Sequence, residues 1–148
     1  MKHTYTEEQK EKDLLIKDLC CRLPYGVKVK ISSMESPLTV LSINTNGETW
    51  VKGDKGYPFE IDWENCKLYL IPLSSMTEEQ KRDLTKLFNC TVVITKWEIV
   101  FPNYYDSNMD NWNKVFNWCY KNNFDCNGLI SSGLAIDATN LNIYDTRI

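Results

Sequence analysis

Apolar positions along the chain change period several times, and each period predicts a different kind of element. Along a helix predicted over residues 6–22 and just past its end they recur at Leu15, Ile16, Leu19, Cys20 and Leu23, the spacing of one helix face. Thr6 and Gln9 form a capping-box pair at its start, and Glu7 and Glu8 suit the positive end of the helix dipole. Pro24 and Gly26 end it. Alternation then takes over. Residues 27–32 place Lys28 and Lys30 outward, and residues 38–43 and 48–52 flank Asn46-Gly47, the signature of a hairpin with a type I′ turn. Gly53-Asp54-Lys55-Gly56 is a second turn. Phe59, Ile61 and Trp63 alternate with Glu60, Asp62 and Glu64, and another strand covers residues 66–71. Short strands this close together, joined by tight turns, predict a small curled antiparallel sheet or an SH3-like barrel.

Helical spacing returns after Pro72. Thr77 and Gln80 repeat the capping-box pair, and Leu84, Leu87 and Phe88 form the apolar face. The run TEEQK thus occurs at Thr6 and at Thr77. Its flanks differ, so convergence on a good helix start explains it better than a duplicated unit. Residues 90–95 and 97–101 are rich in β-branched and aromatic side chains and read as strands. Pro102-Asn103 breaks the pattern, and a third helix follows over residues 108–122. Leu134-Ala135-Ile136 and residues 141–144 read as two further short strands. The expectation is one α+β domain over residues 1–148. Residues 6–72 would be a helix plus a small barrel-like sheet, and residues 73–148 an α/β half closing over it.

The third helix carries the sharpest residue-level signal. Aromatic side chains crowd between Trp97 and Phe124, and such side chains dominate both cores and binding hot spots. At 100° per residue, Met109, Trp112, Val115, Phe116, Cys119 and Tyr120 share one broad face. Trp118 points the other way, among Asn111, Lys114 and Lys121. It is either covered by the C-terminal tail or offered to a partner. Tyr104 and Tyr105 fall in the loop before the helix. Together with Trp97 and Trp118 they could stack on a base or nucleotide ring, or pack in the core.

Composition narrows the chemistry. The 148 residues are 43% hydrophobic and 25% charged with a net charge of −3, ordinary for a globular domain. Lysines and arginines are spread evenly, and Lys28 with Lys30 is the densest basic run. That is too little for a nucleic-acid footprint in the sequence, although folding could assemble a small basic groove. The polar N-terminus has no apolar signal region and no run reaches a membrane span, so the expected location is the cytoplasm, with six cysteines as reduced thiols. His3 is the sole histidine, which removes Ser-His-Asp and Cys-His nucleophilic sites and His-rich metal centres. No glycine-rich phosphate cradle is present. Glu60, Asp62 and Glu64 are the best carboxylate cluster. They read either as a site for a divalent cation or an Arg-rich partner, or as a solvated strand face. Asp106 and Asp110 flank the third helix start, where carboxylates favour the dipole.

Three segments together carry a resemblance: Leu19-Cys20-Cys21-Arg22-Leu23-Pro24-Tyr25-Gly26-Val27, Pro72-Leu73-Ser74-Ser75-Met76-Thr77-Glu78-Glu79, and Asn123-Phe124-Asp125-Cys126-Asn127-Gly128-Leu129-Ile130 with Gly133-Leu134-Ala135. In order and spacing the chain resembles a family of small uncharacterised proteins of gut Bacteroidales, their prophages and their phages. It departs from that pattern at Asn123, Cys126 and Asn127, where the family often has His, Tyr and Arg. The resemblance implies a phage or mobile-element accessory protein in the bacterial cytoplasm and no particular activity. The expectation is therefore a non-enzymatic binding module, without a cofactor, whose partner is a host protein or a small nucleotide ligand. Its contact residues would be Trp97, Tyr104, Tyr105 and Trp118. The rival readings are a small metal-dependent enzyme using Glu60, Asp62 and Glu64, and a weak nucleic-acid-binding regulator using Lys28 and Lys30.

Overall fold

The computed structural model describes residues 6–31, 34, 36–53, 56–88, 90–95, 98–141 and 143–144. The elements run α1 (Glu7–Arg22), β1 (Lys28–Ile31), β2 (Leu38–Ile43), β3 (Glu48–Lys52), β4 (Phe59–Asp62), β5 (Cys66–Leu70), α2 (Glu78–Thr85), β6 (Val93–Ile94), β7 (Ile99–Val100), α3 (Met109–Lys121) and β8 (Ala135–Asp137). The fold is α+β, as the pattern predicts.

Strands β1 to β4 form an antiparallel meander, and β5 returns to pair with β1, giving the order β4-β3-β2-β1-β5-β8. β8 runs parallel to its neighbour, β5. Alternation puts Val29, Ile31, Leu38, Val40, Val51, Cys66 and Leu68 on the inner face, where Leu15 and Leu19 of α1 cover them. A bulge between Val40 and Ser42 turns Leu41 out to solvent and bends β2. A second core lies beside the first. Leu84 and Phe88 from the α2 region, Ile99 and Phe101 from the β6–β7 hairpin, and Val115 and Cys119 of α3 meet there.

Both capping boxes form. The Thr6 and Thr77 hydroxyls accept the Gln9 and Gln80 N–H groups at 3.1 Å each, and the two glutamine side chains return the bond to the cap N–H. The buried face of α1 differs from the apolar stripe. Leu15 and Leu19 are inside, but Asp18 and Arg22 accompany them, while Cys20 is exposed. The helix is rotated so that this charged pair faces the junction of the two cores, where each neutralises the other. On α2, Leu84 and Phe88 are buried and Leu87 is exposed, because the helix ends at Thr85 and the chain turns away.

The β2–β3 hairpin corrects the predicted turn type. Type I′ needs positive φ at both central residues. Here Gly47, at φ 86°, is left-handed and Asn46 is not. The Asn44 carbonyl accepts the Gly47 N–H at 3.0 Å, and its side-chain oxygen accepts from Asn46 and Glu48. An asparagine that caps its own turn thus replaces the two-residue loop. The strands predicted over residues 90–95 and 97–101 shrink to the two-residue pair β6–β7. Residues 141 and 143–144 are bend and turn rather than strand. Tyr144 explains why: its hydroxyl sits between β1 and β5, accepting the Lys28 N–H at 2.8 Å and donating to the Tyr69 carbonyl at 2.7 Å. Asp54 and Lys55, the centre of the second predicted turn, lie outside the described residues.

Gly47 is needed twice over, for its φ and for space. A Cβ there would fall 2.7 Å from Trp63 Cδ1 and 3.1 Å from Lys12 Cε. Gly47→Ala should lower stability by about 1–3 kcal/mol through the combined strain and overpacking. A reduced urea midpoint checks this; an unchanged midpoint would contradict the close approach of Trp63.

Candidate functional site

The loop that leads into α3 is built almost entirely from side chains that satisfy their own backbone. Asn103 Oδ1 accepts the Tyr105 N–H at 3.1 Å, and the Asp106 N–H returns to the Asn103 carbonyl at 3.0 Å. Ser107 Oγ donates to the Tyr104 carbonyl at 2.8 Å, and Asn111 Nδ2 donates to the Asp106 carbonyl at 2.8 Å. Asn108 caps α3 by accepting the Asn111 N–H at 2.9 Å. Residues 104–106 are thereby wound into a short 3-10 turn. The backbone has few loose bonds, yet the two rings it carries point away from the protein. Tyr104 is 83% exposed and Tyr105 84%. Their rings meet edge to face with centroids 5.8 Å apart. Met109, expected on the core face of α3, is 78% exposed as well. It occupies the first position of the helix, before the turn that contacts the core, so nothing covers it. Along the chain, Asp106 lies in the turn and Asp110 follows Met109 in the first turn of α3.

The other aromatic side chains of this region are consumed by packing. Phe88, Phe101, Trp112, Phe116 and Tyr120 form a continuous series of ring contacts with centroids 5.0–6.3 Å apart. The series ends where the Arg22 guanidinium lies 4.9 Å from the Tyr120 ring. Trp118 is corrected: it is half-buried in the second core and stacks on Phe124 at 5.4 Å, with the planes 7° apart. Its cover comes from the turn just after the helix. One amphipathic face cannot describe α3, because the helix is contacted on two sides, by the second core and by α1. Trp97 lies outside the described residues, so Tyr104 and Tyr105 are the two predicted contact residues that the fold brings together on the surface.

The carboxylate cluster does not assemble as the alternation suggests. β4 stops at Asp62, and Glu64 falls in a 3-10 turn over Trp63–Asn65. Glu60 pairs across from Trp50 and Asp62 across from Glu48 on β3. Among the described residues, no three His, Cys, Asp or Glu side chains are grouped closely enough to hold a metal ion.

A second polar cluster escaped the sequence. The Arg22 guanidinium pairs with the Asp18 carboxylate, both fully buried, and donates from Nη2 to the Phe124 carbonyl at 2.8 Å. Asn127 Nδ2 donates to Asp18 at 2.8 Å and to the Tyr120 hydroxyl at 3.2 Å. Next to it, Asp125 accepts the Leu129 and Ile130 N–H groups at 2.9 Å each and fixes the following turn. Arg22 Nη1 has no hydrogen-bond partner. The signal that could have found the pair is the i, i+4 spacing of Asp18 and Arg22 beside Leu15 and Leu19. Its zero exposure marks it as a brace inside the fold and not a site open to ligands.

No protein-family model, curated protein or solved structure matches the chain. Among the described residues, no helix is long and apolar enough to cross a membrane.

All six cysteines are free, and their environments separate them. Cys20 and Cys21 are exposed, whereas burial pushes the Cys66 thiol up to about 12. In the native protein Cys20 and Cys21 should react with a thiol reagent at once and Cys66 only on unfolding. Cys66 also makes stability fall as pH rises above about 8.5, because the unfolded thiol ionises there while the folded one stays protonated until about 12. Mass-spectrometric mapping of the labelled sites checks the order; labelling of Cys66 as fast as Cys20 at neutral pH would contradict it.

Proposed function

We propose that the protein is a non-enzymatic binding module, a phage or mobile-element accessory protein of the bacterial cytoplasm, that grips a host protein with Tyr104, Tyr105 and Met109. One observation carries this reading. Two nearly fully exposed tyrosine rings stand on a backbone that is already tied down by Asn103, Ser107, Asn108 and Asn111. Exposed aromatic rings gain most from burial against a partner, and a pre-ordered loop loses little entropy when it binds. Tyrosine is well suited to such a role, because its flat ring offers contact area with few rotamers to freeze.

A protein partner is favoured over a nucleotide. The turn that carries the rings contributes the carboxylate of Asp106, which repels phosphate, and no arginine or lysine lies in that turn. The complementary surface is an apolar pocket with a basic rim. The reading of β1 to β5 as an SH3-like unit belongs to the same proposal. It is supported by the order β4-β3-β2-β1-β5 and by the 3-10 turn that leads into β5.

The test is cross-linking and co-purification from host lysate with wild type, with Tyr104→Ala/Tyr105→Ala, and with Tyr57→Ala as a control at another exposed tyrosine. The double variant should keep its melting temperature within about 1 °C, since exposed side chains contribute little to stability. It should lose partners that wild type and the Tyr57 variant retain. Identical partners for all three proteins would overturn the reading.

A further inference from the structure

Folding assembles a basic surface that the sequence disperses. Residues with alternate register on the outer face of the sheet include Lys28 and Lys30 on β1, Lys67 on β5, and Trp50 and Lys52 on β3. Lys30 lies directly opposite Lys67. Lys28 pairs with Thr39, and Thr39 pairs with Lys52 on its other side. Neighbouring strands are about 4.8 Å apart and alternate residues about 6.7 Å apart along a strand, so each lysine in the series Lys67, Lys30, Lys28, Lys52 roots within about one Debye length of the next. None of the four has an ion-pair partner among the described residues; Lys28 Nζ reaches only the Thr39 hydroxyl, at 3.4 Å.

The Lys30–Lys67 pair is the telling feature. Like charges directly opposite on adjacent strands destabilise a sheet, and natural pairs are usually opposite in sign. Here both side chains line an open groove of about 410 Å³, with Glu64, Asn65 and Ile136. Repulsion of this kind is relieved when an anion lies between the two ammonium groups. Trp50, 43% exposed on the same face two residues from Lys52, adds a ring on which a planar group can stack. The acidic neighbours are Glu60, across from Trp50, the pair Glu48 and Asp62 one register step beyond it on the same face, and Glu64 at the groove's end. They leave the basic path running from Lys67 and Lys30 through Lys28 towards Lys52.

We propose that this sheet face binds single-stranded nucleic acid, with Lys28, Lys30, Lys52 and Lys67 on the phosphates and Trp50 stacked on a base. A row of phosphates matches a row of lysines, and an unpaired strand offers the free base face that Trp50 requires; a duplex does not. An acidic peptide would use the lysines and leave Trp50 idle. The surface involves neither Tyr104 nor Tyr105, so the two proposals stand or fall separately.

Fluorescence anisotropy with a labelled single strand of about 12 nucleotides, oligo(dT) or oligo(rU), at low salt provides the test. Wild type should bind. Lys30→Gln/Lys67→Gln should weaken binding about tenfold or more and flatten the plot of log K against log salt by about 1.4, the value for two lost phosphate contacts on a single strand. Trp50→Ala should weaken it at least about fivefold, and Tyr104→Ala/Tyr105→Ala should leave it unchanged. Lys67→Gln alone should also raise the melting temperature while weakening binding, because it removes the repulsion with Lys30. Any of three results would overturn the proposal: no binding by wild type at low salt, equal affinity in the lysine double variant, or equal binding of a polyglutamate peptide with no effect of Trp50→Ala.

Discussion

The pairing of Asp18 with Arg22 inside the protein is the interaction on which the rest of the architecture hangs. Both side chains are fully removed from water, beside α3 and the turn that follows it. Arg22 reaches the Phe124 carbonyl and the Tyr120 ring; Asp18 receives Asn127. Every contact therefore joins α1 to the C-terminal half. Burying two charges costs several kcal/mol per ion, and their mutual attraction repays this only where the geometry is good and the remaining atoms find partners. A packing that separated the two would strand a buried charge, and removing one partner of a buried pair is strongly destabilising.

From that junction the order of the molecule can be followed outward. Tyr120 anchors one end of an aromatic series that continues through Phe116, Trp112 and Phe101 to Phe88, so α3 is held along most of its length. Ile71 extends β5 and brackets Phe124, accepting the Asp125 N–H and donating to the Asn123 carbonyl at 2.8 Å each. With α3 fixed in this way, its N-terminal cap at Asn108 fixes the turn that carries Tyr104 and Tyr105. Three segments that are distant in sequence meet here: Arg22 from the first, Ile71 and Pro72 leading into the second, and Phe124 to Asn127 from the third. Packing, capping and the brace account for the buried residues of these segments; the exposed Tyr104 and Tyr105 lie outside them.

Much of the fold was legible because its signals are local. Two capping boxes, alternation in β1 to β5 and the break at Pro102 each depend on neighbours a few residues away, and the α+β class follows from them. The rest depends on residues far apart in the chain. Asp18 and Arg22 stand beside Leu15 and Leu19 on α1, and only the arrival of Asn127 and Phe124 from far along the chain puts them inside. Trp118 read as facing away from the core because periodicity assumes a single buried face, whereas α3 has two. Lys67 carries no meaning in the sequence until the β1–β5 register sets it against Lys30. Of the candidate contact residues, Tyr104 and Tyr105 were legible as a pair in a loop; Met109 was not, because its helical position resembles that of a core residue.

A double-mutant cycle on Asp18 and Arg22, read by urea unfolding of Asp18→Leu, Arg22→Met and the combined variant, tests the brace most directly. Each single change should cost about 3–5 kcal/mol, since it leaves one buried charge without its partner. The combined loss should fall short of the sum by at least about 2 kcal/mol, because the second substitution removes the stranded charge. Losses that simply add would contradict the central role assigned to the pair.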